Sequence, residues 1–151
     1  MFGVVLFSLI LFGYGCILSR QMIANLAGVN EENKDALNGF AKFMVSFNKF
    51  FENEGVLWVF SVVALIAGVW NFFAPDFSAL SGPPILGSLI PSLIMIINAA
   101  VMYPKIIEVI NIKQEGKDKY YELVAKVSGL MGIVTLVAFF LHIALFKEIL
   151  F

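Results

Sequence analysis

The chain has 151 residues, of which 60% are hydrophobic and only 14% are charged. Soluble domains usually carry about 25% charged residues, so this composition excludes an ordinary soluble globular protein. The formal net charge of −1 also leaves no basic excess of the kind that nucleic-acid binding requires.

Four long stretches contain no Asp, Glu, Lys or Arg: residues 1–19, 55–75, 77–104 and 127–146. A helix needs about 20 apolar residues to cross the hydrocarbon core, because unpaired backbone groups cannot be left in lipid. The stretches therefore predict an all-α integral membrane protein. It would form a single membrane domain, 1–151, with transmembrane helices TM1 (2–20), TM2 (56–74), TM3 (84–103) and TM4 (120–146).

The first stretch has an alternative interpretation as a cleaved leader that ends at Cys16. A secretory leader begins with positive charge, whereas residues 1–15 contain no Lys or Arg. Gly13, Tyr14 and Gly15 also match the usual cleavage pattern poorly. We expect TM1 to be retained, with processing at Cys16 as the open alternative. Because Cys16 is the only cysteine, no internal disulfide is expected.

The distribution of basic residues predicts the orientation. Loops that carry more Lys and Arg stay in the cytoplasm. The TM1–TM2 and TM3–TM4 connections, with the start of TM4, hold every Lys and Arg except Lys147. We therefore expect both termini outside and both long loops in the cytoplasm, in a bacterial inner (cell) membrane. Acidic residues balance the bases on that side, so the expected partners are membrane lipids and other membrane proteins, and not a nucleic acid.

The TM1–TM2 connection is predicted to extend the first helix briefly, turn near Gly28, and then form an amphipathic helix over 36–53. Apolar residues recur there at helical spacing, namely Phe40, Phe43, Met44, Phe47, Phe50 and Phe51. Since the segment leads directly into TM2, this face is expected to lie in the membrane interface or to dock on a partner. Stacking of nucleic-acid bases is disfavoured because acids offset the lysines.

TM3 contains Pro91, which predicts a bend inside the helix. After a kink near Pro104, the apolar segment 105–112 is expected to continue TM3 beyond the headgroups. There it would pack with the phenylalanines as a small cytoplasmic cap.

The predicted spans contain a few polar side chains and no charge within the four stretches. Ser88, Ser92 and Asn98 on TM3, Asn71 on TM2 and His142 on TM4 are interpreted as hydrogen-bonding glue between helices, or alternatively as a polar path. One histidine excludes bis-histidine haem ligation within the chain, and helix packing is the simpler role for it. No catalytic, metal or cofactor-binding constellation is found, and no cofactor other than bound lipid is expected.

Small residues on TM2 and TM4 predict close helix contacts. Their members are Ala64, Gly68, Ser128, Gly129 and Gly132. These faces would join TM2 to TM4 or bind the helix of a partner.

Two classes of function follow. The favoured one is a small non-catalytic membrane subunit or scaffold that associates with partner membrane proteins, in a homo- or hetero-oligomer. The alternative is a small channel or transporter, formed by an oligomer with a polar path along TM3. An enzyme acting on a lipid or quinone, through His142 or Tyr103, is a weaker third option.

Overall fold

The computed structural model describes residues 2–29, 38–73 and 89–145, with side chains from residue 5 to residue 144 of these ranges. Within them the chain is helical and has no β-strand, which confirms the predicted all-α class. The helices are α1 (Phe2–Leu18), α2 (Arg20–Leu26), α3 (Gly39–Phe50), α4 (Glu54–Phe73), α5 (Ile90–Met102) and α6 (Gln114–Leu145), and a 3₁₀ helix covers Pro104–Val109.

Two of the described helices, α4 and α6, are long and apolar enough to cross a membrane, and each contains an 18-residue segment with a mean hydropathy of 2.1. The pair α1 and α2 would form a third span, although its axis bends by 65° between them. The described part of α5 is apolar but has only 13 residues. The structure thus supports two or three candidate spans, and not clearly the four that were predicted. Residues 84–88 of the predicted TM3 lie outside the described residues.

The first helix does not continue straight into its polar extension. α1 ends at Leu18, Ser19 lies between the helices, and α2 starts at Arg20. α2 then ends in a turn at Gly28, whose φ of 76° is favourable only for a residue without a side chain. The predicted turn at Gly28 is therefore present, and the bend at Ser19 is an addition to the prediction.

α3 is the amphipathic helix, and it is shorter than the predicted 36–53. The Asn38 side chain caps its start by accepting a hydrogen bond from the Ala41 N–H at 2.8 Å. Asn53 accepts from the N–H of Gly55 at 2.8 Å and thereby caps α4. Since Asn53 begins a new helix, the chain turns after Phe50 instead of continuing α3. α3 packs mainly on α2.

The main helix pairs are α4 with α5 and α1 with α6, and α5 also packs on α6. Both pairs are antiparallel. In the first, Ser61 contacts Ala99 while Asn71 contacts Ser92. In the second, Phe7 contacts His142 while Gly15 faces Leu136. The hydrophobic core between these helices includes Phe7, Leu11, Tyr14, Ile17, Ala64, Met95, Ala99 and Met131.

α5 ends at Met102, and the expected continuation of TM3 takes a different form. Tyr103 leaves the helical region, with φ −138° and ψ 80°, as expected for a residue before proline. The chain then forms a short 3₁₀ helix in which Ile107 is buried, whereas Val109 and Ile110 are exposed. α6 starts at Gln114, six residues before the predicted start at residue 120.

Pro91 lies in the first turn of the described α5, where a missing N–H costs little. The described residues begin at Leu89, so the helix before Pro91, on which the predicted bend depends, lies outside them.

Candidate functional site

Buried polar side chains join α4 to α5. The Asn71 amide donates to Ser92 Oγ at 2.9 Å, and the Ser61 hydroxyl donates to the Ala99 carbonyl at 2.8 Å. Gly68 lies between these two contacts, and a Cβ there would be only 2.8 Å from the Ser92 carbonyl oxygen. The small residue allows the close approach that the hydrogen bonds require.

A second polar contact joins α5 to α6. The Asn98 amide donates to Thr135 Oγ1 at 3.0 Å, and the Thr135 hydroxyl lies 2.6 Å from the Met131 carbonyl, to which it can donate. Both side chains are completely buried. Between α1 and α4, the Tyr14 hydroxyl donates to the Phe60 carbonyl at 2.6 Å.

These contacts determine what the predicted polar residues of TM3 can do. Ser92 and Asn98 have no exposed surface, and both are hydrogen-bonded to neighbouring helices. A path for water or ions needs polar atoms that face an opening, which these two do not within the single chain. The geometry favours the interhelix role. Ser88 lies outside the described residues.

His142 lies on α6 against α1. The residue is 4% exposed, and its ring packs edge-on against Phe7, with 5.8 Å between ring centroids. Neither ring nitrogen has a hydrogen-bond partner in the described part of the chain. The surroundings are those of a packing residue. The same residues also contain no cluster of His, Cys, Asp or Glu that could hold a metal ion.

The small-residue faces of α4 and α6 contact different neighbours. Ala64 is buried and Gly68 packs on α5, whereas a Cβ at Gly132 would meet Ser19 and Leu18 of the first helix. These two faces therefore do not meet each other as the sequence suggested.

Two further small residues of α6 are not used in this way. The Ser128 hydroxyl donates to the Ala125 carbonyl of its own helix at 3.0 Å, and Gly129 has open space on its side-chain face.

The apolar face of α3 is divided between the bundle and the outside. Met44 and Phe51 are buried. Phe47 is half-buried, and its ring stacks on the ring of Phe43. Phe40, Phe43 and Phe50 are each more than half exposed. The two lysines that flank this face, Lys42 and Lys49, are exposed. The outward phenylalanines form a surface that the described part of the chain does not cover.

Ion pairs tie the segment after α5 to its surroundings. Lys105 pairs with Glu54 at 2.8 Å, and Glu108 accepts from the Tyr121 hydroxyl at 2.7 Å and from Lys117 at 2.9 Å. The Tyr121 hydrogen bond and, after it, Lys117 lower the pKa of Glu108. We call this end of the bundle, where Arg20, the start of α4, the 3₁₀ helix and the start of α6 lie, the charged end.

A cavity of about 650 Å³ opens at the charged end, beside the bend between α1 and α2. Its lining includes Ser19 and Arg20 at the bend, and Gly129 and Gly132 on α6.

Several residues of these contacts were not singled out from the sequence. Thr135 shares its charge-free stretch with one other hydroxyl residue, Ser128, and Ser61 is the only hydroxyl residue of its own stretch, so a survey of all polar residues in the spans would have included both. In the sequence, Arg20 served only as one of the basic residues that predict the orientation. Its place in a cavity depends on the bend at Ser19, for which the sequence has no marker such as proline.

The helical architecture, the apolar helices and the interhelix polar contacts together define a helical membrane protein with two or three candidate spans. A family model matches residues 2–142, so the chain belongs to that family, which is a family of unknown function. Neither the curated proteins nor the solved structures contain a match to the chain.

Proposed function

We propose that the protein is a small non-catalytic subunit or scaffold of a membrane complex. The observation that carries this proposal is the hydrogen bonding of Ser92 and Asn98 inside the chain. Because these two polar side chains bond inside the chain, the described spans present mainly apolar side chains outward, among them Leu93 and Ile97 of α5.

The outward face of α3 supports an association role. Phe40, Phe43 and Phe50 project from a helix that is joined to α4 by only a short turn, so they are held near one end of a candidate span. Such a surface can enter the lipid interface or contact the helix of a partner. On α6, the exposed side chain of Leu130 adds a second outward apolar surface.

The proposal includes four spans, with both termini outside and the charged end in the cytoplasm. The supporting observation is the basic content of the two long connections. In a Cys16→Ala background, Lys49→Cys should react with a membrane-impermeant thiol reagent only after cell lysis. Labelling of Lys49→Cys in intact cells would contradict the orientation.

Site-specific photo-cross-linking tests the subunit proposal. A benzophenone amino acid placed at Phe43, 58% exposed, or at Leu130, 62% exposed, should give a stoichiometric adduct with one membrane protein, or with a second copy of the chain. The same probe at Met44, which is 3% exposed, is the matched control and should give none. Lipid adducts alone at both exposed positions would contradict the proposal.

The channel alternative would require several chains to build an opening from residues that one chain keeps buried. It predicts solute flux in liposomes that is lost in Ser92→Ala/Asn98→Ala while oligomer size is unchanged. The subunit proposal predicts no flux from the wild-type protein.

A further inference from the structure

The cavity at the charged end combines polar and apolar walls. α2 contributes Arg20, Gln21 and Asn25, and the other helices contribute Leu57, Val101 and Ile133. Leu57 follows Glu54 by three residues and Gly129 follows Lys126 by three. The cavity therefore lies about one helical turn, or ~5 Å, from the charged residues Glu54 and Lys126. In a membrane this depth corresponds to the boundary between lipid headgroups and acyl chains.

Arg20 is held in place but is not neutralised by an ion pair. Its Nη1 donates to the Ile17 carbonyl at 3.0 Å, and its guanidinium carbon lies 5.9 Å from the centre of the Phe51 ring. Among the described residues no carboxylate is within ion-pair distance of Arg20, and Glu52 acts on it only from further away. Within residues 2–29, 38–73 and 89–145 the other N–H donors of the guanidinium have no acceptor, so they can bind an anion.

Two further polar side chains of α2 line the cavity beside Arg20. Gln21 and Asn25 are both exposed, so their amide N–H groups can also donate to an anion. The hydroxyl of Ser19 is buried against Gly132 in the contact of α1 with α6, so it does not take part.

We propose that this cavity binds the headgroup of an anionic phospholipid from the adjoining leaflet. Arg20, with Gln21 and Asn25 beside it, would donate to phosphate oxygens, and the acyl chains would lie along Leu57, Val101 and Ile133. A free phosphate ion shares the headgroup chemistry. The lipid is favoured because the cavity has an apolar wall, and because Ile133, which is 44% exposed, connects that wall to the outer surface of α6.

The proposal is tested with the full chain, purified in detergent and stripped of lipid. Native mass spectrometry would follow the binding of phosphatidylglycerol, of phosphatidylcholine and of inorganic phosphate. We expect one tightly bound phosphatidylglycerol, with weaker binding of phosphatidylcholine and none of phosphate. Arg20→Gln should weaken binding about tenfold, through the loss of charge-assisted hydrogen bonds. Lys49→Gln, which removes an exposed charge outside the cavity, should leave the affinity unchanged.

A cavity-filling variant makes the test independent of Arg20. A Cβ at Gly129 meets nothing, so Gly129→Leu should project into the cavity and block the lipid, whereas Gly13→Leu adds the same group at another position with an open Cβ and should not. Unchanged phosphatidylglycerol binding in both Arg20→Gln and Gly129→Leu would overturn the proposal. So would equal affinity for phosphate alone, since the apolar wall would then contribute nothing.

Discussion

Asn98 on α5 and Thr135 on α6 face each other with 3.0 Å between Asn98 Nδ2 and Thr135 Oγ1, and 3.1 Å between that hydroxyl and Asn98 Oδ1. A hydroxyl has one proton, and the Met131 carbonyl at 2.6 Å competes for it. The essential element of the pair is therefore the amide hydrogen bond from Asn98 to Thr135.

Thr135→Val removes the acceptor of this bond while it keeps the shape of the side chain. We expect it to lower the free energy of unfolding by about 1 kcal/mol, because the buried Asn98 amide is left without its partner. In a double-mutant cycle with Asn98→Ala, the two effects should be less than additive by about 0.6 kcal/mol, the average for such bonds in membranes. Denaturation in mixed micelles measures both quantities.

Ser128→Ala is the control for this cycle, since its hydroxyl bonds only to its own helix. It should change the stability little. Strict additivity of Asn98→Ala and Thr135→Val would show that the pair contributes no coupling energy, and would remove the main support for the structural role of Asn98.

Gly132 and Gly129 offer a matched pair of alanine substitutions on α6. A Cβ at Gly132 would lie 2.8 Å from the Ser19 backbone nitrogen and 2.9 Å from the Leu18 carbonyl carbon, so α1 and α6 must move apart. We expect Gly132→Ala to destabilise the protein by about 1–3 kcal/mol, as overpacking usually does.

At Gly129 the added methyl group meets nothing, and alanine is the better helix former. Gly129→Ala should therefore be neutral, or stabilise by up to about 1 kcal/mol. Thermal unfolding in one detergent compares the two variants directly. Equal effects would mean that Gly132 is not at the contact of α1 with α6.

Glu108 is expected to titrate below the ordinary glutamate pKa of about 4.3, because Tyr121 and Lys117 stabilise its carboxylate. A lowered folded-state pKa adds stability at pH values above the unfolded-state pKa. That contribution is lost as the pH falls through the lower, folded-state pKa. Carbon-13 NMR of the labelled carboxyl group measures the midpoint.

Tyr121→Phe removes the first of these hydrogen bonds and should raise the pKa of Glu108 toward its ordinary value. Lys119→Gln breaks a neighbouring ion pair, with Glu115, and should leave the Glu108 midpoint in place. A midpoint that does not respond to Tyr121→Phe would contradict the assigned cause.

Charge-free stretches and helical spacing were sufficient to predict the helical class and the approximate places of α1, α4 and α6. They could not predict which helix faces which, because periodicity identifies a face but not the element that covers it. Gly68 and Gly132 illustrate this limit, since both were recognised as packing residues and their actual neighbours are α5 and α1.

The candidate site was harder to predict for a related reason. The cavity lies beside the bend at Ser19, and Arg20, the first residue after that bend, lines it. Local propensity does not mark that bend, which depends on tertiary packing at the charged end.

His142 tests whether a buried polar side chain can contribute to the stability of the bundle through packing alone. Its ring nitrogens have no partner in the described residues, and the ring contacts Phe7. Phenylalanine has a similar shape and no polar atoms to leave unsatisfied. We expect His142→Phe to preserve or raise the free energy of unfolding, by up to about 1 kcal/mol. His142→Ala should lower it by about 2–4 kcal/mol through the loss of packing.

Denaturation of both variants in mixed micelles distinguishes packing from hydrogen bonding. A His142→Phe variant as unstable as His142→Ala would show that the imidazole makes a polar contact on which the bundle depends.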